Sequence, residues 1–283
     1  MRPKKRRRII AGAVSALVIL LYTWGFWLEK INYSIKSNKI NDNIKIIFIS
    51  DLHDCIYGKG QSGLMNEIEN ENPDIVLFGG DVIDHMGGFD DALNIMKLVS
   101  EKYPCGYAAG NHEMMRDDYD EFFVKVSEIG VPVLHGKYSE INVRNQKIRV
   151  YGVIDPYEYG DKATQIDECY DTLDDGYYNI LLAHQPEQCE ELLRPDENIP
   201  TFDLVLSGHA HGGQWRLPVI LEQGLYAPNQ GVFPYRTTGV FEYKNSSQIV
   251  SRGLARPLRM IFIPRIFNRP ELSVITLTKG ENQ

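Results

Sequence analysis

Short apolar runs alternate along the chain with segments of helical spacing. Continuous apolar runs of this length are typical of strands buried on both faces. Strands are predicted at IKIIFIS (44–50), DIVLFGG (74–80), GYAAG (106–110), KIRVYGV (147–153), NILLAH (179–184) and FDLVLSG (202–208). Helices are predicted at 61–72, 90–102, 117–129 and 186–194. The alternation predicts an α/β fold with sheets covered by helices, and the strand-rich last third predicts that the sheets are mixed.

The amino terminus has the pattern of a membrane anchor. Residues 9–28 (IIAGAVSALVILLYTWGFWL) carry no charge and follow a basic tail at 1–8. Twenty helical residues span about 30 Å, the thickness of the bilayer hydrocarbon. A cleaved signal peptide is the main alternative, but the apolar run is long and bulky residues follow it. A twin-arginine signal fits poorly. We therefore predict an uncleaved transmembrane signal anchor.

The positive-inside rule gives this anchor a direction. Residues 1–8 would lie in the cytoplasm, and the protein would cross the cell membrane once. Residues 29–43 would form a linker or a short edge strand, and residues 44–283 one folded domain. We expect that domain to lie outside the cytoplasm.

Charge and cysteine content exclude some classes of function. The net charge is −8, and the basic tail holds six of the thirty Lys and Arg residues. The rest carries 24 basic against 38 acidic residues, a net of −14, so no nucleic-acid partner is expected. Four scattered cysteines predict no disulfide framework. Cys55, two residues after His53, is a candidate ligand, but a small apolar residue near the site is the favoured interpretation.

Side chains that bind metals follow five of the predicted strands. They are Asp51 and His53, then Asp81, Asn111, His184, and finally His209 and His211. In α/β sheets, the loops beyond the carboxyl ends of the strands gather at one edge and form a crevice. Imidazole and carboxylate together suit Zn, Fe or Mn rather than calcium. Two such cations repel each other, and a single shared carboxylate can offset that repulsion.

These motifs resemble those of the calcineurin-like metallophosphoesterases. The resemblance rests on DLH (51–53), GGDVID (79–84), GNHE (110–113), AHQP (183–186) and SGHAHGGQ (207–214). The late RPEL (269–272) looks like the bacterial membrane-associated phosphodiesterase branch. The resemblance implies a sandwich of two mixed β-sheets flanked by helices, with two divalent transition-metal ions.

The resemblance also implies a role for each residue. Asp51, His53 and His211 would hold one metal; Asn111, His184 and His209 would hold the other, with Asp81 bridging both. A hydroxide held between the metals would attack phosphorus. His112 would stabilise the developing charge or protonate the leaving oxygen. Glu113 and Asp84 could orient imidazoles by accepting their second N–H.

Other residues receive more ordinary interpretations. His85 and His135 are expected to be structural, although His85 is close enough to Asp81 in sequence to face a substrate. The acidic segment 155–177 is expected to be a solvated connection, with a lid as the alternative. The apolar segment after the last ligands is expected to pack in the core, with a lip that meets membrane or an acyl chain as the alternative. It comprises Trp215, Leu217, Val219, Ile220, Leu221 and Leu225.

Three functions remain open at this point. The first is a phosphodiesterase or pyrophosphatase acting on a membrane-associated or envelope compound, including lipid-linked phosphates. The second is a phosphatase of soluble monoesters. The third is a metal-binding interaction protein without catalysis, which the complete ligand set disfavours.

Overall fold

The computed structural model describes residues 3–154, 162–194, 199–257 and 265–280. Its helices are α1 (Pro3–Trp24), α2 (Ser62–Glu71), α3 (Asp90–Ser100), α4 (Asn111–Met114), α5 (Tyr119–Glu128), α6 (Lys162–Asp171) and α7 (Cys189–Leu193). Short 3-10 turns lie at Lys59–Gln61, Pro186–Gln188 and His211–Gly213.

Thirteen strands lie in this described part of the chain. They are β1 (Glu29–Ser37), β2 (Ile44–Ile49), β3 (Ile75–Gly79), β4 (Cys105–Ala108), β5 (Lys137–Val143), β6 (Gln146–Val153), β7 (Tyr178–Ala183), β8 (Leu204–Ser207), β9 (Tyr226–Ala227), β10 (Gly231–Val232), β11 (Gly239–Glu242), β12 (Ser247–Val250) and β13 (Glu271–Lys279). Each of the six strands and four helices predicted from the sequence is present, and nine of these ten elements agree within two residues at either end. The exception is α7, which begins three residues after the predicted start at 186, because a 3-10 turn lies at Pro186–Gln188.

Two mixed sheets form the body of the molecule. One has the strand order β1-β13-β2-β3-β4 and the other has the order β11-β12-β8-β7-β6-β5. In the first sheet β13 and β2 are antiparallel and the other neighbouring pairs are parallel. In the second sheet the two outer pairs, β11 with β12 and β6 with β5, are antiparallel and the inner pairs are parallel. The prediction of an α/β fold with mixed sheets is confirmed, and 29–43 contains the edge strand β1.

Alternation along the strands assigns the core. Ile46 and Phe48 face the second sheet and pack between the sheets, whereas Ile47 and Ile49 face helices on the outer side. Side chains two apart on a strand share a face, so one run of apolar residues can serve two layers. The outer layer of the second sheet packs Tyr151 and Leu181 against the region of α6 and α7. This packing holds the strand ends rigidly.

The amino-terminal helix differs from the prediction. Helix α1 ends at Trp24, so its uncharged part runs only from residue 9 to residue 24, and crossing the hydrocarbon takes roughly 20 residues. Among the residues that the structure describes, no helix is both long and apolar enough to cross a membrane. The transmembrane span predicted at 9–28 is therefore not supported.

One strand and one connecting segment also differ from the prediction. The sequence analysis does not predict strand β5, and it predicts that the segment 155–177 is a solvated connection. Residues 162–171 of that segment instead form α6, which buries Ile166 and Cys169 against the second sheet. Tyr157 and Tyr159 lie outside the described residues, so the alternative of a lid is not tested.

Candidate metal centre

The seven predicted ligands follow strands of both sheets. Asp51 and His53 follow β2, Asp81 follows β3, Asn111 follows β4 at the start of α4, His184 follows β7, and His209 and His211 follow β8. The first sheet thus supplies four of these side chains and the second supplies three. All seven side chains are buried. A crevice at this end of the sandwich therefore has metal-binding groups on both walls.

One group of side chains joins Asp51, His53 and His211. One ligand atom from each lies within 4.8 Å of the others. Oδ1 of Asp51 is 3.8 Å from Nε2 of His211, and the two imidazole rings are 5.2 Å apart. The prediction placed these three residues around one metal.

A second group joins Asp81, His184 and His209, again within 4.8 Å. Oδ2 of Asp81 is 3.1 Å from Nε2 of His184 and 3.6 Å from Nε2 of His53. Asp81 therefore lies between the two groups. A carboxylate that bridges two metals, the role predicted for Asp81, has to lie at such a position.

The donor atoms fit metal ions better than hydrogen bonds. Four of them are buried and make no hydrogen bond within the described part of the chain: Oδ2 of Asp51, Nε2 of His53, Oδ2 of Asp81 and Oδ1 of Asn111. Buried polar atoms are nearly always paired, so a concentration of unpaired atoms in one crevice indicates a missing partner. Carboxylate, imidazole and amide donors together suit first-row divalent ions.

Burial keeps the imidazoles in the form that binds metals. It lowers the pKa of His53 and the pKa of His209 to about 3. Burial also holds the pKa of His211 well below its usual range. These three rings are therefore neutral at pH 7, and a neutral ring nitrogen can donate its lone pair.

The loops carrying the ligands have an unusual backbone. Asp51, His53 and Asp81 have φ of 50°, 46° and 52°, in the left-handed region that side chains with a Cβ seldom adopt. Gly80 has φ of 89°, and a side chain there would lie 2.6 Å from Nδ1 of His184. Glycine is thus required where β3 turns into the site.

Glu113 has a different role from the one expected. Its carboxylate accepts hydrogen bonds from the backbone N–H groups of Asp81, Val82, Ile83 and Gly110, at 2.7–3.2 Å. It therefore joins the loop after β3 to the start of α4, and the expectation that it orients an imidazole is wrong. The GNHE motif placed Glu113 beside the predicted ligands, which suggested a contact with an imidazole. Its carboxylate is instead bound by backbone N–H groups of the loop after β3 and of Gly110.

Asp84 orients the imidazole of His112. Oδ1 of Asp84 is 3.0 Å from Nδ1 of His112 and 2.7 Å from Nδ1 of His85. Burial lowers the pKa of His112, but the carboxylates of Asp81 and Asp84 outweigh it and raise that pKa to about 9. His85 is 44% exposed, so the expectation of a structural role is wrong for it. His135 packs its ring 4.6 Å from that of Phe123, as expected of a structural histidine.

Residues late in the chain support the site and were not predicted. Nδ2 of Asn229, in the turn between β9 and β10, is 3.1 Å from Nε2 of His209. Nη2 of Arg265 is 3.5 Å from Nδ1 of His211, and Asn268 donates to the His211 carbonyl at 2.6 Å. Only the RPEL motif pointed to this region. Its Glu271 accepts from Nε of Arg252 at 2.8 Å.

Cys55 and the apolar segment after His211 differ in their burial. Cys55 is buried, its sulfur accepts the Arg256 N–H at 3.3 Å, and it belongs to none of the candidate metal groups found in the described residues. Trp215, Leu217, Val219 and Ile220 are 42–88% exposed. The prediction of core packing is therefore wrong for these four side chains, whereas Leu221 and Leu225 of the same segment are half-buried.

Comparison with known proteins agrees with this geometry. The model of the calcineurin-like phosphoesterase family matches residues 44–213. The chain belongs to this family. The matched domain is that of the metallophosphoesterases, which are hydrolases of phosphoric esters.

Several known proteins are similar to this chain. A Caenorhabditis elegans protein named as a metallophosphoesterase, F40B5.2, is 30% identical over 84% of this chain and 49% of its own length. YpbG of Bacillus subtilis is 27% identical over 96% of each chain. The phosphodiesterase YaeI of Escherichia coli is 26% identical over 69% of this chain and 71% of its own. This chain thus spans about half the length of the nematode relative.

Removal of the Glu113 carboxylate should loosen the site. Glu113→Ala leaves four buried N–H groups unpaired, and each costs about 1–3 kcal/mol, so we expect a loss of at least about 3 kcal/mol. Urea unfolding measures this loss. Glu121→Ala, an exposed partner of Lys125 at 3.4 Å, is the control and should cost no more than about 0.5 kcal/mol. Equal stability of the two variants would rule out the joining role of Glu113.

Proposed function

We propose that this metallophosphoesterase is a dinuclear hydrolase of phosphate diesters or pyrophosphates. In this proposal Asp51, His53 and His211 hold one divalent ion. Asn111, His184 and His209 hold the second, and Asp81 contacts both. Mn, Zn and Fe all suit these donors, and availability often decides between them.

The position of Asp81 carries this proposal. Its Oδ2 lies within 3.6 Å of an imidazole nitrogen from each group. A carboxylate at that position can offset the repulsion between two cations, whereas one cation alone would leave the other group of donors buried and unpaired. The separation of the donors into two groups that share one carboxylate supports two ions rather than one.

Divalent ions at this site supply Lewis-acid stabilisation of charge on the phosphoryl oxygens and lower the pKa of coordinated water. The protein supplies orientation and proton transfer. Because Asp84 accepts from Nδ1–H of His112, Nε2 is the nitrogen left to hold a proton for the leaving oxygen. The backbone N–H of His112 also donates to Oδ1 of Asp81 at 2.8 Å, which fixes this imidazole relative to the metal groups.

Charge supports a diester linkage over a soluble monoester. A monoester carries a charge of about −1.5 to −2 at pH 7, whereas a simple diester carries a single charge. The chain carries a net charge of −8, and this field opposes the more highly charged substrate. Similarity to a protein named as a phosphodiesterase supports the same choice.

Membrane-associated and envelope compounds are the substrate class that we favour. The basic tail and uncharged segment of residues 1–28 support a location at the cell membrane, with the catalytic domain outside the cytoplasm. This location is a prediction from the sequence. Phospholipid head groups, nucleotide-sugar lipids and wall-polymer diesters all contain the required bond.

A comparison of model esters tests the reaction. With added Mn²⁺, we expect a higher kcat/KM for bis(p-nitrophenyl) phosphate than for p-nitrophenyl phosphate. Metal analysis should find two ions per chain, and fewer in Asp81→Asn because the shared ligand is weakened. A preference for the monoester would favour a soluble-monoester phosphatase. Far fewer than two ions in the parent protein would favour a non-catalytic binding protein.

Replacement of His112 tests the proton donor. His112→Ala should lower turnover by roughly 10²–10⁴-fold, because general acid catalysis is lost. Metal content should stay close to that of the parent, since the side chain belongs to neither proposed ligand set. His85→Ala, the other imidazole on Asp84, is the matched comparison and should lose less. Near-normal turnover of His112→Ala would remove this residue from the reaction.

Fractionation of cells expressing the full chain tests the location. The protein should stay with membranes after an alkaline carbonate wash, and protease added to spheroplasts should degrade the catalytic domain. A chain recovered in the soluble cytoplasmic fraction would contradict the predicted location and leave the chemistry of the site unaffected.

A further inference from the structure

A cluster of exposed apolar side chains lies next to the loop that carries His211. We call it the apolar lip, and it comprises Trp24, Trp215, Leu217, Val219, Ile220 and Phe267. These side chains are 42–88% exposed. Single exposed apolar residues are ordinary on a protein surface, but a contiguous group marks an interaction site. Trp24, Val219 and Phe267 line one cavity, which shows that residues distant in sequence meet here.

The backbone presents two of these side chains at a cost. Val219 has φ of 70° and Phe267 has φ of 49°. A β-branched residue at positive φ is a genuine outlier, and such strain is concentrated at functional sites. Val219 lies at the tip of a short hairpin closed by the pairing of Leu217 with Leu221. The hairpin holds its most apolar residues away from the core, so the exposure follows from a defined structure.

The cavity beneath the lip is lined by charged side chains of both signs. It measures about 700 Å³ and is lined by Arg216, Arg252 and Arg269 against Glu29 and Glu222. Arg252 pairs with Glu29 and Glu271, and Arg269 pairs with Glu29, whereas Arg216 forms no ion pair within 4.0 Å in the described part of the chain. Nε of Arg216 donates to the carbonyl of Glu222 at 2.9 Å, so its charge faces no described carboxylate at ion-pair distance. In a chain of net charge −8, an arginine of this kind beside apolar side chains indicates an anionic, amphipathic partner.

We propose that the apolar lip and its arginine-lined cavity form a surface that docks onto a bilayer containing anionic phospholipid. Val219, Ile220 and Phe267 enter the acyl region, and Arg216 contacts a lipid phosphate. Trp24 belongs at the interface, where an aromatic ring with one polar end is favoured. Apart from Trp24, at the end of α1, this surface is formed by side chains of the folded body, and it does not require α1 to cross the membrane.

The surface also places the metal centre near the bilayer. Phe267 is followed by Asn268, whose side chain donates to the carbonyl of His211. Trp215 and Arg216 pair with Ile266 on the neighbouring segment. The lip and the loop of the candidate ligands are thus parts of one connected unit. A docked protein would present its crevice at the level of the lipid head groups.

A fluorescent label at the hairpin tip tests the docking. The native cysteines are all buried, so Ile220→Cys can be labelled selectively with an environment-sensitive dye. With full-length protein, phosphatidylcholine vesicles containing phosphatidylglycerol should shift the emission of this label to the blue. Val124→Cys, on an exposed position of α5, is the control and should show no shift. The label reports the environment of the lip itself, so any attachment through α1 does not affect the result.

The role of Arg216 gives a second measurement. Arg216→Gln should weaken partitioning to phosphatidylglycerol vesicles about fivefold, as expected for one basic residue near an anionic surface. Partitioning to pure phosphatidylcholine should hardly change. An Ile220 label that keeps its aqueous spectrum on vesicle-bound protein would overturn the proposal. A blue shift that depends on protein concentration without vesicles would also overturn it and assign the lip to a second copy. Neither measurement depends on hydrolysis.

Discussion

Two buried carboxylates impose the constraint on which the rest of this structure depends. Asp51 and Asp81 follow the adjacent parallel strands β2 and β3 and are 0% and 1% exposed. Removal of such charges from water costs several kcal/mol each unless other groups compensate. Backbone N–H groups of His209 and His112 donate to them, at 2.9 and 2.8 Å. Divalent cations would provide the remaining compensation. The same two cations would therefore stabilise the buried carboxylates and take part in the proposed chemistry.

The two sheets share this constraint. Each of the two proposed metal groups combines a carboxylate from the first sheet with at least one imidazole from the second, as Asp81 and His184 show. The loops reach these positions through residues at positive φ, among them His209 at 64° and His211 at 47°. Strain of this kind persists only where the surroundings fix the backbone. The core between the sheets and the contacts between loops, such as Asp51 N–H to the Gly80 carbonyl at 3.0 Å, provide that fixation.

The sequence predicts the early half of the site well for a physical reason. Strand ends in an α/β sheet converge, so a polar residue after each apolar run is enough to place Asp51, Asp81 and His184 together. The later residues lie in turns and irregular segments whose convergence no periodic pattern reports. Asn229 lies in the turn between two short strands, and Asn268 lies between β12 and β13, shortly before β13 begins. Their contacts with His209 and His211 depend on tertiary packing alone.

The segment after His211 shows where prediction from a hydrophobic pattern fails. The apolar run that contains Val219 and Ile220 predicts core residues, but such a run does not indicate whether another layer of the structure packs on it. The first strands had partners on both faces, whereas this hairpin lies beyond both sheets and has no layer above it in the described structure. An exposed apolar surface is retained only when its exposure has a use, since burial would otherwise be more stable. The proximity of this surface to His211 argues that the use concerns access to the metal centre, because a surface meant only for attachment could lie anywhere on the molecule.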